Sequence, residues 1–224
     1  MYDKLSTSLL AEFIGTFALI FIGAGAGALG DATLVGVAFA HGLVIVGFAY
    51  AYGHISGTHI NPAVTIGVWT AGKIDTARAF SYVFFQLLGG VVAAFTLSWV
   101  LGARQGNLGA TLLADGVTPV VGVVLEAILT FFLANTVLNA GISGKATIPA
   151  GLAIGLTLTF CILMGGPLTG ASLNPARSIG PAVATGNFAD LWVYLVGPIL
   201  GGVIAGLLYK TIFEERDHPH PRKK

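Results

Sequence analysis

The chain has 224 residues, of which 55% are hydrophobic and only 9% charged, with a formal net charge of +1. A soluble domain carries about 25% charged residues, so a chain this apolar cannot cover its surface in water and needs a lipid bilayer as solvent. The near-neutral charge suggests no nucleic-acid partner, and a single cysteine, Cys161, rules out an intramolecular disulfide and argues against a cysteine-based metal site.

The first apolar segment runs from Leu5 to Leu29 and contains Glu12. It lacks a clear small-residue cleavage site and reads as a retained first span rather than a cleaved signal peptide. A second segment spans Thr33 to Tyr52. Pro62 to Trp69 is too short to cross a membrane and is bounded by Gly, Pro and Asn, which makes it re-entrant. Further long segments cover Arg78 to Leu101, Pro119 to Ala140, Thr147 to Gly165, and Leu191 to Lys210, with a second short one from Pro175 to Ala184. The pattern predicts an all-α membrane protein of six transmembrane helices plus two re-entrant half-helices. It forms one membrane domain over residues 1–212, followed by a charged tail at 213–224. The tail reads as a solvated end, in preference to a pH sensor built on His218 and His220.

Charge sets the orientation. With a cytoplasmic amino terminus and six spans, the inside carries Lys4, Lys73, Arg78, Lys145, Lys210, Arg216, Arg222, Lys223 and Lys224, nine of the eleven Lys and Arg. The positive-inside rule therefore places both termini in the cytoplasm. Arg104 lies outside, and Arg177 falls in a re-entrant segment.

The two halves, about 5–101 and 119–210, repeat one another. Ala11-Glu12-Phe13-Ile14-Gly15-Thr16-Phe17 parallels Leu125-Glu126-Ala127-Ile128-Leu129-Thr130-Phe131, and Ile55 to Ala63 parallels Leu168 to Ala176. Glu12 precedes Asn61 by 49 residues and Glu126 precedes Asn174 by 48. Three spans per half invert the second copy, so the short segments enter from opposite faces and can meet at the midplane. Glu12 and Glu126 are acidic residues deep in spans. They fit either a proton relay or carboxylates that hold a loop's backbone N–H groups, and their symmetric placement favours the second. Glycines four apart (Gly23 and Gly27, Gly151 and Gly155, Gly197 and Gly201, Gly202 and Gly206) suit close helix packing.

Asn followed by Pro marks a helix start, with Asn as the cap and Pro at the first helical position. Asn61 and Asn174 should each begin a half-helix and turn an amide NH2 to the lumen. Arg177 is a cation in the first turn of a half-helix and at membrane depth, where both the dipole and lipid disfavour it. The first half has Val64 in that place, and a rule broken in one repeat only points to function.

Asn61-Pro62-Ala63 and Asn174-Pro175-Ala176-Arg177-Ser178, with Ser56-Gly57-Thr58-His59 and Gly170-Ala171-Ser172-Leu173 before them, resemble the paired motifs of aquaporins, the major intrinsic proteins. The similarity covers Glu12 to about Gly206. It implies one pore per subunit of a homotetramer, carrying water and small neutral solutes, with no cofactor, metal or enzymatic activity. By resemblance, His41, Ile162, Ala171 and Arg177 occupy the narrow filter, and this set is similar to plant vacuolar aquaporins. Ile162 and Ala171 suggest a wider opening that could admit ammonia, urea or glycerol. Ser178 and Ala182 resemble the water-selective group, whereas Leu195 departs from its usual Trp. The short ends and loops resemble microbial members of a cell membrane. Cys161 adjoins Ile162 but should face about 100° away on a helix, so weak mercurial inhibition is expected. Rival readings are an ammonia or glycerol facilitator with little water role, a secondary transporter, and a purely structural membrane protein.

Overall fold

The computed structural model describes residues 4–104, 106–143 and 149–214. Six helical stretches in it are long and apolar enough to cross a membrane: Leu5–Leu29, Leu34–Ser56, Thr76–Leu101, Pro119–Ile142, Ala150–Thr169 and Val193–Phe213. Of the expected tail, Phe213 and Glu214 are described, whereas His218 and His220 lie outside the described residues, as do Lys145, Arg216, Arg222, Lys223 and Lys224.

The first span comprises α1 (Lys4–Ala18), a wider π-helical turn (Leu19–Ala24) and α2 (Gly25–Leu29). Then come α3 (Leu34–Ser56), the half-helix α4 (Pro62–Thr70) and α5 (Thr76–Leu101). In the second half, α6 (Pro119–Thr136) runs into a π-helical turn (Val137–Ile142), followed by α7 (Ala150–Thr169), the half-helix α8 (Pro175–Thr185) and α9 (Val193–Leu208).

Side chains set the starts. Thr33 accepts from Gly36 N, Asp75 from Arg78 N, and Thr118 from Val121 N, each capping the helix that follows. The largest boundary differences are at the ends of α3 and α7, which run four residues past the expected Tyr52 and Gly165. The stops are Gly57 (φ 89°) and Gly170 (φ 77°), which are left-handed caps. Pro167 is tolerated within the last turn of α7, since membrane helices accommodate proline where neighbours satisfy the freed carbonyl.

Glycines bring the helices together in symmetric pairs. A Cβ on Gly42 would lie 2.6 Å from the Gly155 carbonyl oxygen, and one on Gly155 would lie 2.4 Å from that of Gly42, so α3 and α7 cross backbone to backbone. Gly89 meets Phe13 O as Gly201 meets Ala127 O, while Gly90 meets Ala176 O as Gly202 meets Ala63 O. The second set fixes each half-helix against the last span of the opposite half. Gly151, Gly197 and Gly206 also lie at such contacts. Gly23 and Gly27 do not form a helix-packing pair. Gly23 faces the His41 ring, and nothing lies closer than 3.9 Å to a Cβ on Gly27.

In the loop after α4, Lys73 Nζ donates to Glu214 at the end of the last span and lies 5.7 Å from the centre of the Tyr209 ring. The hydrogen bond to Glu214 raises the Lys73 ammonium's pKa above its ordinary value.

Candidate functional site

The two half-helices begin at Asn61 and Asn174. Asn61 Oδ1 accepts from Ala63 N (2.8 Å) and Val64 N (3.4 Å), and Asn174 Oδ1 accepts from Ala176 N (2.9 Å) and Arg177 N (3.4 Å). Pro62 and Pro175 take the first helical positions, where no N–H is needed. The amide nitrogens reach across the repeat: Asn61 Nδ2 donates to Leu173 O at 2.8 Å, and Asn174 Nδ2 donates to Ile60 O at 3.0 Å. Each NH2 therefore has one hydrogen committed to the opposite loop, a link that sequence alone did not reveal.

The loops before the asparagines are strained at matched positions. Thr58 (φ 50°), Ile60 (φ 40°), Ala171 (φ 44°) and Leu173 (φ 55°) all lie in the left-handed region. Non-glycine residues there cost about 1–3 kcal/mol each, and β-branched Thr58 and Ile60 are the least suited to it. Buried carboxylates hold these turns. Glu12 Oε1 accepts from Ser56 Oγ (2.6 Å) and His59 N (2.9 Å), and its Oε2 accepts from Ile60 N (2.6 Å) and Gln86 Nε2 (2.7 Å). Glu126 Oε1 accepts from Thr169 Oγ1 (2.7 Å) and Ser172 N (2.9 Å), and its Oε2 accepts from Leu173 N (2.8 Å). Two tyrosines absent from the sequence-derived candidates complete the scaffold. Tyr82 Oη donates to Ser56 O and Tyr194 Oη to Thr169 O. Their matched places in the two halves were the available signal.

A narrow cavity, with about 20 Å³ of room for the centres of water-sized molecules, runs past both asparagines, with His41 and Arg177 in its wall. His41 Nδ1 lies 2.9 Å from Val37 O, a group that can only accept, so Nδ1 carries the proton and Nε2 is the acceptor of the neutral ring. That Nε2 is buried without a hydrogen-bond partner, as are Nε and Nη1 of Arg177. Ile162 and Ala171 are buried, at 3% and 2% exposure, and do not belong to this wall. They adjoin it: Ile162 is one helical turn beyond Leu158, and Ala171 precedes Ser172, both of which line the cavity.

The rest of the wall is Leu19, Ile45, Thr58, His59, Val64, Leu133, Val137, Ile154, Leu158, Ser172 and Leu173. Leu19 and Val137 each open a π-helical turn, a distortion that recurs at functional sites. His59, in the motif before Asn61, sits with Nδ1 3.1 Å from Thr65 Oγ1 and its ring edge-on to Tyr82. Cys161 points elsewhere. Its Sγ–H donates to Leu129 O (3.6 Å), and it lines an apolar groove with Leu125, Phe132, Phe160 and Met164 between α6 and α7. Among the described residues no group of three or more His, Cys, Asp or Glu side chains could hold a metal ion.

Residues 3–209 match the family model described as Major intrinsic protein. Among curated relatives, Aquaporin NIP1-1 of Zea mays is 39% identical over 210 residues, covering 91% of this chain and 74% of that protein. Aquaporin TIP2-3 of Zea mays is 43% identical over 230 residues, covering 94% and 91%. Of solved structures, the X-ray structure of the aquaglyceroporin from Plasmodium falciparum superposes with a TM-score of 0.83 at 26% identity, covering 93% of this chain and 97% of that one.

Proposed function

The chain belongs to the major intrinsic protein family, the aquaporin-type membrane channels, and we propose that it is a passive pore for water and small uncharged solutes that excludes ions and protons. The observation that carries this reading is the meeting of two half-helix starts, Asn61 and Asn174, in the wall of one cavity. Each start carries roughly half a positive charge, and two together repel a cation. Each asparagine has a second amide hydrogen to offer a passing molecule. A water that accepts from both turns its own hydrogens outward and cannot complete a proton-conducting chain.

In this reading Arg177 and His41 are the polar members of a filter that Ile162 and Ala171 complete. Asn61, Pro62, Ala63, Asn174, Pro175 and Ala176 set the central barrier. Glu12 and Glu126 fix the loops rather than relay protons, since four donors engage the first carboxylate and three the second. That structural engagement speaks against a proton-coupled transporter. The pore sits in one membrane domain over residues 1–212, in a homotetramer. Both termini and the tail at 213–224 are cytoplasmic, on the Lys and Arg distribution. A second reading, a facilitator of ammonia, urea or glycerol with little water role, is favoured by the aliphatic Ile162 and small Ala171 of the filter set.

Proteoliposomes mixed with an impermeant osmolyte should shrink far faster than empty vesicles, with a low activation energy, in stopped-flow light scattering. Slow shrinkage beside rapid uptake of ammonia or glycerol favours the second reading. Slow responses to all of them, with folded and inserted protein, refute both. Mercuric chloride should slow water flow only weakly, because the thiol of Cys161 faces α6. Strong block abolished by Cys161→Ala contradicts that placement.

A further inference from the structure

The repeat relates the cavity wall to itself. Offsets of 114 residues for the first span of each half and 113 for the second span and loop pair Leu19 with Leu133, Ile45 with Leu158, and Asn61 with Asn174, all in the wall and each pair alike. Contacts bear out the offsets, since Gly42 and Gly155, also 113 apart, meet each other's backbone.

The two poles differ. His41 has Ile154 as its mate, Arg177 has Val64, and Ser172 has His59, all of them in the wall. The mate of Gly23 is Val137. At the first pole Gly23 makes room for the imidazole: a Cβ there would fall 2.4 Å from His41 Cδ2. At the second pole a branched side chain stands in that place and lines the cavity instead. Thus where one end presents an arginine, a histidine and a glycine, the other presents valine, isoleucine and valine. Val64 and Val137 are only 2% and 6% exposed although they face the lumen, so little open space surrounds them. Val137 also opens the π-helical turn of its span, which fixes its backbone at the wall.

We propose that Val64, Val137 and Ile154 form an apolar collar, a second selectivity element at the pole opposite Arg177, which discriminates among neutral solutes by size and by withholding hydrogen bonds. This rests on the reading of the chain as a pore. Arginine and the half-helix dipoles act on charge and do not distinguish water from urea or glycerol. An aliphatic ring does. Water in single file keeps bonds to the waters before and behind it, whereas a larger solute sheds several hydration bonds at once and finds no replacements. His59 and Thr58 are the polar side chains in that part of the wall, and the Thr58 hydroxyl donates to Phe48 O. His59 is held by Thr65 and Tyr82 rather than by the collar.

The test compares Val137→Ala/Ile154→Ala with the unmodified protein in proteoliposomes, reading water, urea and glycerol permeability and proton leak. The collar predicts a several-fold rise in the ratios of urea and glycerol to water permeability, with proton leak unchanged because Arg177 and both asparagines are untouched. Val137→Ile, which adds a methylene at the same place, should move the ratios the opposite way and keeps the test informative if the double variant misfolds. Unmoved ratios with water flow intact in either folded variant overturn the collar. Absence of water and solute flow in the unmodified protein overturns the pore reading itself, and the collar with it.

Discussion

Arg177→Val, which copies the residue its mate Val64 carries, should raise proton and small-cation leak by one to two orders of magnitude while water continues to flow. A unit charge about 6 Å from a passing cation, at an effective dielectric constant of about 20, contributes roughly 3 kcal/mol of repulsion, or about a hundredfold in rate. Some of the barrier survives in the variant, since the half-helix dipoles and both asparagines remain. The guanidinium is well placed to repel a cation, because it is buried at 6% exposure in the cavity wall with Nε and Nη1 unpartnered. Arg177→Lys keeps the charge and should retain most of the exclusion. Dissipation of a pH gradient, read with a dye trapped in the vesicles, measures the effect. A leak in Arg177→Val equal to that of the parent protein would remove Arg177 from the barrier.

Glu12→Ala should be the most damaging substitution to stability. The carboxylate takes four donors, two of them the backbone N–H groups of His59 and Ile60. These N–H groups belong to a turn whose left-handed Thr58 and Ile60 are already costly. Without the carboxylate, two buried backbone donors lose their partner at about 1–3 kcal/mol each, and lipid supplies no water to replace it. A loss of about 3–5 kcal/mol follows, seen as a large fall in melting temperature in detergent. Glu12→Gln should recover part of it, because one acceptor oxygen survives. Glu126→Ala should behave similarly, for Ser172 N and Leu173 N depend on it. Wild-type melting in Glu12→Ala would show that the loop is held by something else.

Much of the architecture was legible because lipid simplifies the problem. Long apolar runs can only be helices there, and Asn61-Pro62 and Asn174-Pro175 announce helix starts through capping chemistry. The repeat of the two halves was legible from the segments around Glu12 and Glu126 together with the loops from Ile55 to Ala63 and Leu168 to Ala176. What stayed hidden has common physical causes. Nothing about Thr58 or Ile60 suggests a positive φ, which a sequence rule would assign to glycine; tertiary hydrogen bonds to Glu12 override the local preference. The lumen wall was equally obscure, because Leu19, Ile45, Leu133 and Leu158 sit on helices apolar on every side, where periodicity cannot separate pore from lipid. Gly23 looked like a packing glycine because spacing does not say whether the neighbour is a backbone or an imidazole.

The crossed amide bonds also fix an order of assembly. Asn61 finds its carbonyl 112 residues further along the chain, and Asn174 finds its own 114 residues back. A ribosome that has released the whole first half has still made only one side of each bond. The carbonyl partner of Asn61 and the amide partner of Ile60 O both belong to the later loop, which enters from the other face. Neither crossed bond can form before both loops exist, so the centre of the pore closes in both halves together.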